Sequence, residues 1–329
     1  MTGVHQPLAL DHEDLNGLEA FDVAGKIPLH DGDLSYSKVE LSAYWVLRGR
    51  SDVLVDVVSH QHRLECIVSV RVGQDKFTLL YHTGSAELPP PSSVMPHVMH
   101  LHEQTQLLVG HSVVAIFADP GADYAKAKAC LHFLIENVIG NRNDWSLSSI
   151  ARDFSVADSE LPSSGYGLLL SDAFRAGRLK YAYLDLFRCI EHKALRHAQD
   201  RFVSEFLDDP KRASEDVLAV VRSEKKLYSQ VITANAAVIA GASEVIENVR
   251  RANSYLGAVI GRMEEIPADP NTKSTHIMYA VRNSIAHAKA GDLMVERYSD
   301  YEFALSQIVP YVEILALRFA GIELDAPLY

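Results

Sequence analysis

Between about Tyr36 and Ala118 the apolar positions recur with a period of two. Val53, Val55 and Val57 stand two apart. Three further runs read as strands: Arg63–Val72, Lys76–His82 and His111–Ala118. They are rich in valine, isoleucine and aromatics, and Gly73-Gln74-Asp75 supplies a hairpin turn between the first two. The pattern predicts an antiparallel sheet, folded as a small sandwich or a curved layer. Leu88–Pro96 holds three consecutive prolines, which remove donors and fix φ, so it reads as a surface connection.

At Tyr124 the period changes. Ala127, Cys130, Leu131, Leu134, Ile135 and Val138 fall on one stripe, which predicts a long helix near 124–140 that stops at Gly140. Ala157–Gly167 reads as an irregular linker. From Leu168 onward the periodicity is helical almost throughout. Leu184, Phe187, Ile190 and Glu191 belong to one long helix that Asp208-Asp209-Pro210 ends. Later helices are predicted over Glu215–Lys226, Gln230–Ala240, Ser243–Gly261, Thr275–Ala290 and Tyr301–Ala320. The fold class that follows is α+β. A β-rich domain over residues 1–145 carries the helix near 124–140, and an all-α bundle follows over residues 146–329.

Composition narrows the function classes. The chain has 329 residues and a formal charge of −12, which argues against a general nucleic-acid coat. The charge is uneven: residues 1–145 hold 10 basic and 18 acidic side chains, and residues 146–329 hold 21 and 25. The cysteines, Cys66, Cys130 and Cys189, are few and widely spaced. That disfavours a disulfide framework or a cysteine zinc site. No basic segment precedes an apolar run at the N-terminus, and no apolar stretch reaches 18 residues. A cytoplasmic protein without a signal peptide or membrane contact is the expectation.

Met278–Asp292, MYAVRNSIAHAKAGD, carries the clearest chemistry. Met278, Val281 and Ile285 form the core stripe of an amphipathic helix, and Asn283 and His287 stack four apart on another face. Arg282 and His287 fall about 140° apart on an ideal helix, so they would line one wide cleft edge rather than face each other. A histidine suits acid–base work near neutral pH, and a guanidinium can clamp a phosphate.

Arg282-Asn283-x3-His287 resembles the Arg-x4–6-His signature of the HEPN superfamily. Upstream, Tyr181–Leu195 resembles the glutamate-bearing helix of its Apea-like branch. The same segment is similar to methylamine-utilisation MauJ-type proteins. The likeness covers roughly Gly167–Ala320 and omits the β-rich half. It implies a HEPN-like helical bundle and a metal-independent endoribonuclease that works as a homodimer through that bundle, of the toxin or phage-defence kind. It implies His287 as general acid or base, Arg282 as phosphate clamp, Asn283 as orienting hydrogen-bonder and Glu191 as the residue that orients them. RNA is then the partner, and no cofactor or metal is called for. The MauJ-type likeness implies the alternative, a catalytically silent module that binds a protein or a nucleotide through the same cleft.

Other features read more simply. Eleven of the 15 histidines precede residue 133, among them His60, His62, His82, His97, His100, His102 and His111. They lack an acidic or cysteine partner at a metal-site spacing, so surface and core roles outweigh metal binding. Arg175, Arg178, Lys180, Arg188, Lys193, Arg196 and Arg201 are interrupted by Asp185, Glu191 and Asp200. A salt-bridged face outweighs an RNA track there. No phosphate-loop, dinucleotide or nucleophile-elbow motif occurs. The β-rich half holds no catalytic set, and recognition of a protein partner or trigger is its expected task.

Overall fold

The computed structural model describes residues 24–29, 32–38, 45–48, 66–81, 113–119, 121–139, 145–149, 151, 153–221, 224–239, 241–263, 266–287 and 294–325. Their composition is α+β, with helix dominant. The chain forms two compact units, one of residues 1–135, 151–159 and 324–326, the other of 136–150, 160–323 and 327–329. Val53, Val55 and Val57, the proline run and the seven histidines weighed as metal ligands lie outside the described residues.

The first unit holds strands β1 (Ala24–Leu29), β2 (Gly32–Lys38), β3 (Trp45–Arg48), β4 (Cys66–Val72), β5 (Asp75–Tyr81), β6 (Val113–Ala118) and β7 (Asp153–Val156). Its Leu324 and Asp325 end β8 (Ile322–Asp325), and the order is β1-β2-β3-β6-β5-β4-β7-β8. The alternation seen in sequence is real in β4, where Val68, Val70 and Val72 are buried and Arg71 is exposed. Gly73 and Gln74 make the two-residue turn into β5, and Gly73 takes φ +61°, a conformation glycine adopts without strain.

The sheet departs from the expected antiparallel layer. β3 pairs with β6, and β4 with β7, in parallel. Parallel neighbours need long connections, and both pairs are far apart in sequence. β7 is also why the chain does not divide once between residues 145 and 146: this four-residue strand returns to the first unit after the second has begun. Helix α1 (Tyr124–Phe133) starts at Asp123, whose carboxylate accepts from Lys126 N at 3.1 Å. The helix expected near 124–140 is α-helical only this far; Leu134–Ile139 continues it as a π-helix.

The second unit is helical: α2 (Gly165–Arg175), α3 (Leu179–Phe206), α4 (Pro210–Val221), α5 (Glu224–Thr233), α6 (Ala242–Arg250), α7 (Ser254–Gly261), α8 (Pro270–Ala286) and α9 (Tyr301–Phe319). The expected linker Ala157–Gly167 instead contains a 3-10 turn and the Ser164 cap of α2. The expected helix over Ser243–Gly261 is two. Asn253 breaks it by accepting from Leu256 N at 2.8 Å, and Asp300 accepts from the backbone N–H groups of Ser254 and Tyr255.

Helix α3 is the axis of this unit. Tyr183 and Phe187 are fully buried on it and stack at 6.2 Å. Tyr183 Oη donates to Met278 O on α8 at 2.8 Å. Phe187 meets Tyr228 of α5 edge-on, and Tyr228 lies 5.3 Å from Tyr279 of α8. These contacts fix α8 against α3 and α5, and so set the position of the Arg282 segment.

Candidate active site

Helix α8 begins with Asp269 as cap and Pro270 at its first position, where a missing N–H costs nothing. Its core stripe is Met278 and Val281, both fully buried, with Ile285 half-buried. It ends at Ala286, four residues before the expected end, and His287 is the cap residue with φ −117° and ψ 58°. That turn matters. On a continuing helix His287 would point away from Arg282, but off the helix its ring comes back over the last turn, with Nε2 3.1 Å from Arg282 Nη1.

All four residues singled out from the sequence meet here. Arg282 Nε donates to Glu191 Oε1 of α3 at 2.8 Å, and Nη2 reaches the same oxygen at 2.6 Å. Arg282 Nη1 also donates to Asn283 Oδ1 at 3.0 Å. Arginine only donates, so His287 Nε2 must accept, which puts the ring proton on Nδ1. Nε–H, one Nη2–H and both Nη1–H of Arg282 are thus engaged, and the second Nη2–H is left over among the described contacts. The pair is only partly covered: the side chains of Arg282 and Glu191 keep 16% and 20% of their exposure, and His287 is exposed.

Asn283 and His287 also line a cavity of about 450 Å³ that Arg282 and Glu191 do not reach. On α8 its wall continues through His276, Tyr279, Ala280 and Ser284. Lys225 of α5 closes a second side, and Val259, Arg262 and Met263 at the end of α7 close a third. Ser284 brings no spare hydrogen to it. Burial pushes the Tyr255 phenol up to about 12, although its bond to Ser284 pulls the other way, so Tyr255 keeps its proton. Ser284 Oγ donates to Val281 O and accepts from Tyr255 Oη.

The sequence reading did not connect Lys225, Arg262, His276 or Tyr279 with the site. For two of them a signal existed: His276, Tyr279, Asn283 and His287 recur at three- and four-residue steps along one face. Lys225 and Arg262 arrive from other helices, and no spacing announces them. Within the series of cations on α3, Lys180 pairs with Glu296, Arg188 with Asp185 at 2.6 Å and Arg201 with Glu205 at 2.9 Å. These three belong to a salt-bridged surface.

No group of three histidine, cysteine or acidic side chains among the described residues is placed to hold a metal ion. Among them, too, no helix is long and apolar enough to cross a membrane. Burial pushes the Cys130 and Cys189 thiols up to about 12, away from thiolate chemistry. Comparison of the chain with family models, curated proteins and solved structures returned no match.

Proposed function

We propose that the helical unit is a HEPN-type, metal-independent endoribonuclease that acts as a homodimer and cuts RNA at the Arg282–His287 edge. The observation that carries this reading is the convergence of Glu191, Arg282, Asn283 and His287 through direct hydrogen bonds at a solvent-open rim. In the proposed reaction the ribose 2′-oxygen attacks the adjacent phosphorus and the 5′-oxygen leaves. The products are a 2′,3′-cyclic phosphate and a 5′-hydroxyl. Arg282 turns its Nη1 from His287 onto a phosphate oxygen and offsets the charge that grows there. That movement frees the His287 Nε2 lone pair to take the 2′-OH proton. Glu191 holds the guanidinium by two contacts on one oxygen while this happens.

The test is incubation of the full chain with total RNA, in EDTA, with end mapping. Wild type is expected to leave cyclic phosphate ends. His287→Ala and Arg282→Ala are each expected to lose about 10²–10⁴-fold in rate while melting like wild type. Cleavage that survives both substitutions ends the proposal.

One observation favours a second reading. Arg282 is engaged within one protomer by Glu191, Asn283 and His287, as a structural pair would be. On that reading the unit is a catalytically silent HEPN-like module that binds a protein or a nucleotide. Absence of cleavage by a folded, dimeric wild type would select it.

A further inference from the structure

The cavity beside α8 differs in its charge from the rest of the helical surface. Elsewhere in this unit the cations end on carboxylates: Lys180 on Glu296, Arg188 on Asp185, Arg201 on Glu205, and Arg250 and Lys273 on Glu247. Lys225 and Arg262 line the cavity from two different helices, and neither ends in an ion pair among the described residues. Among those residues no aspartate or glutamate lines the cavity at all. Two permanent cations with no internal counter-charge suit an external anion.

The remaining wall asks for more than an anion. Val259, Met263 and Ala280 give it apolar surface. Tyr279 presents a ring held in place by Tyr228, 5.3 Å away, so the ring is braced for stacking. Asn283 has given its oxygen to Arg282, which leaves its amide hydrogens to donate into the space. At about 450 Å³ the cavity lies within the range of small-molecule sites, roughly 300–1,000 Å³. A ligand with a flat ring system, polar ring edges and a phosphate matches every one of these features.

The geometry points to a pocket for a single nucleotide, with its phosphate between Lys225 and Arg262 and its base against Tyr279. Two sources share this chemistry: one nucleotide of an RNA chain, seated next to the Arg282–His287 edge, or a free mononucleotide. The RNA form rests on the ribonuclease reading. The free form stands without it.

Isothermal titration of the full chain tests this with adenosine monophosphate, inorganic phosphate and adenosine as separate probes. The monophosphate is expected to bind at least about tenfold more tightly than either part alone. The double variant Lys225→Ala/Arg262→Ala should weaken the monophosphate about tenfold or more and leave adenosine unchanged. Tyr279→Ala should weaken the monophosphate and adenosine at least about fivefold, and Tyr279→Phe, which keeps the ring, should restore both.

An uncleavable 2′-O-methyl oligoribonucleotide separates the sources. Tighter binding than the monophosphate, with mutual competition, assigns the pocket to an RNA chain; weaker binding assigns it to a free nucleotide. The assignment is overturned if the monophosphate binds no better than phosphate, or if the double variant binds it as wild type does. Nucleotide binding without RNA cleavage would sink the ribonuclease reading and leave the pocket standing. Cleavage with a KM indifferent to the double substitution, and no monophosphate binding, would do the reverse.

Discussion

Two glutamates of the helical unit meet their partners in opposite ways. Glu313 of α9 is fully buried. Its carboxyl oxygens accept from Ser146 Oγ at 2.7 Å, Leu147 N at 2.8 Å and Ser148 N at 3.1 Å. It caps a 3-10 turn from 165 residues away in sequence. Glu191 keeps a fifth of its exposure, spends one oxygen on one guanidinium and stands at an open edge. The first arrangement is closed: each contact satisfies a buried donor and nothing remains for a ligand. The second has donors to spare and a cavity beside it. Burial with backbone partners marks a carboxylate that holds the fold, and partial exposure with a side-chain cation marks one that can serve chemistry.

The contrast breaks first, and most, at Glu313. Glu313→Ala leaves two backbone N–H groups and a hydroxyl without their acceptor inside the unit. It is expected to cost about 3–5 kcal/mol, read as a lower urea midpoint. Glu313→Gln keeps one carbonyl acceptor but turns an amide toward a donor, and about 1–3 kcal/mol is expected. A loss below the urea assay's resolution for Glu313→Ala would mean that the closed cluster does not hold the unit together.

Glu191→Gln should act the other way round. It keeps the shape and weakens the grip on Arg282, so the stability change should stay within about 1 kcal/mol. Cleavage should fall on the order of 10²-fold, because the guanidinium is no longer held in register. If Glu191→Gln unfolds the protein as readily as Glu313→Ala does, the two carboxylates are both structural and the open edge has no special role.

The same two residues show what can be read from a chain and what cannot. Glu191 was legible because it lies on a helix with its partners at fixed spacings and in a resembling order. Even so, the sequence pattern misjudged the geometry. The helical-wheel angle between Arg282 and His287 assumes a helix that continues to Ala290, and the helix stops at Ala286. Glu313 sits among Val309, Val312, Leu315 and Ala316, an apolar stretch in which one acid gives no hint of its distant partner. The strands β4, β5 and β6 and the helix α9 were legible from periodicity. β7 was not, because four residues are too few to display a period. The cavity was not legible either, since three separate helices build it and only α8 has a readable face.

Acidity offers a third way to sharpen the comparison. Burial pushes the Glu313 carboxyl above its usual value of 4.5, and the bonds from Ser146, Leu147 and Ser148 only moderate that rise. The folded state then binds more protons than the unfolded one, so this contribution is complete below the usual value and is lost as pH rises through the folded value. The stability of wild type relative to Glu313→Gln should therefore decline as pH rises above about 4.5, with a slope no steeper than about 1.4 kcal/mol per pH unit. Urea unfolding of both proteins from pH 4 upward reads this directly. A difference that grows with pH would mean that the hydrogen bonds, not burial, dominate at Glu313.

The smallest effect belongs to a third glutamate, which shows what a carboxylate does when it is neither buried nor beside a cavity. Glu247 lies at the surface of α6 and pairs with Arg250, three residues on, and with Lys273 of α8 at 3.1 Å. Its bonds to Arg250 and then to Lys273 hold its carboxyl down at about 2. The sign is the reverse of that at Glu313: the stabilisation is present above the usual glutamate value and vanishes as pH falls toward about 2. Solvent screens both cations, so Glu247→Gln should cost well under about 1 kcal/mol at low salt, and 1 M NaCl should erase the difference. RNA cleavage should not change, because Glu247 touches neither Arg282 nor the cavity wall. A salt-insensitive loss of several kcal/mol would place Glu247 with Glu313, and exposure would then no longer separate the carboxylates that hold this unit from those that do not.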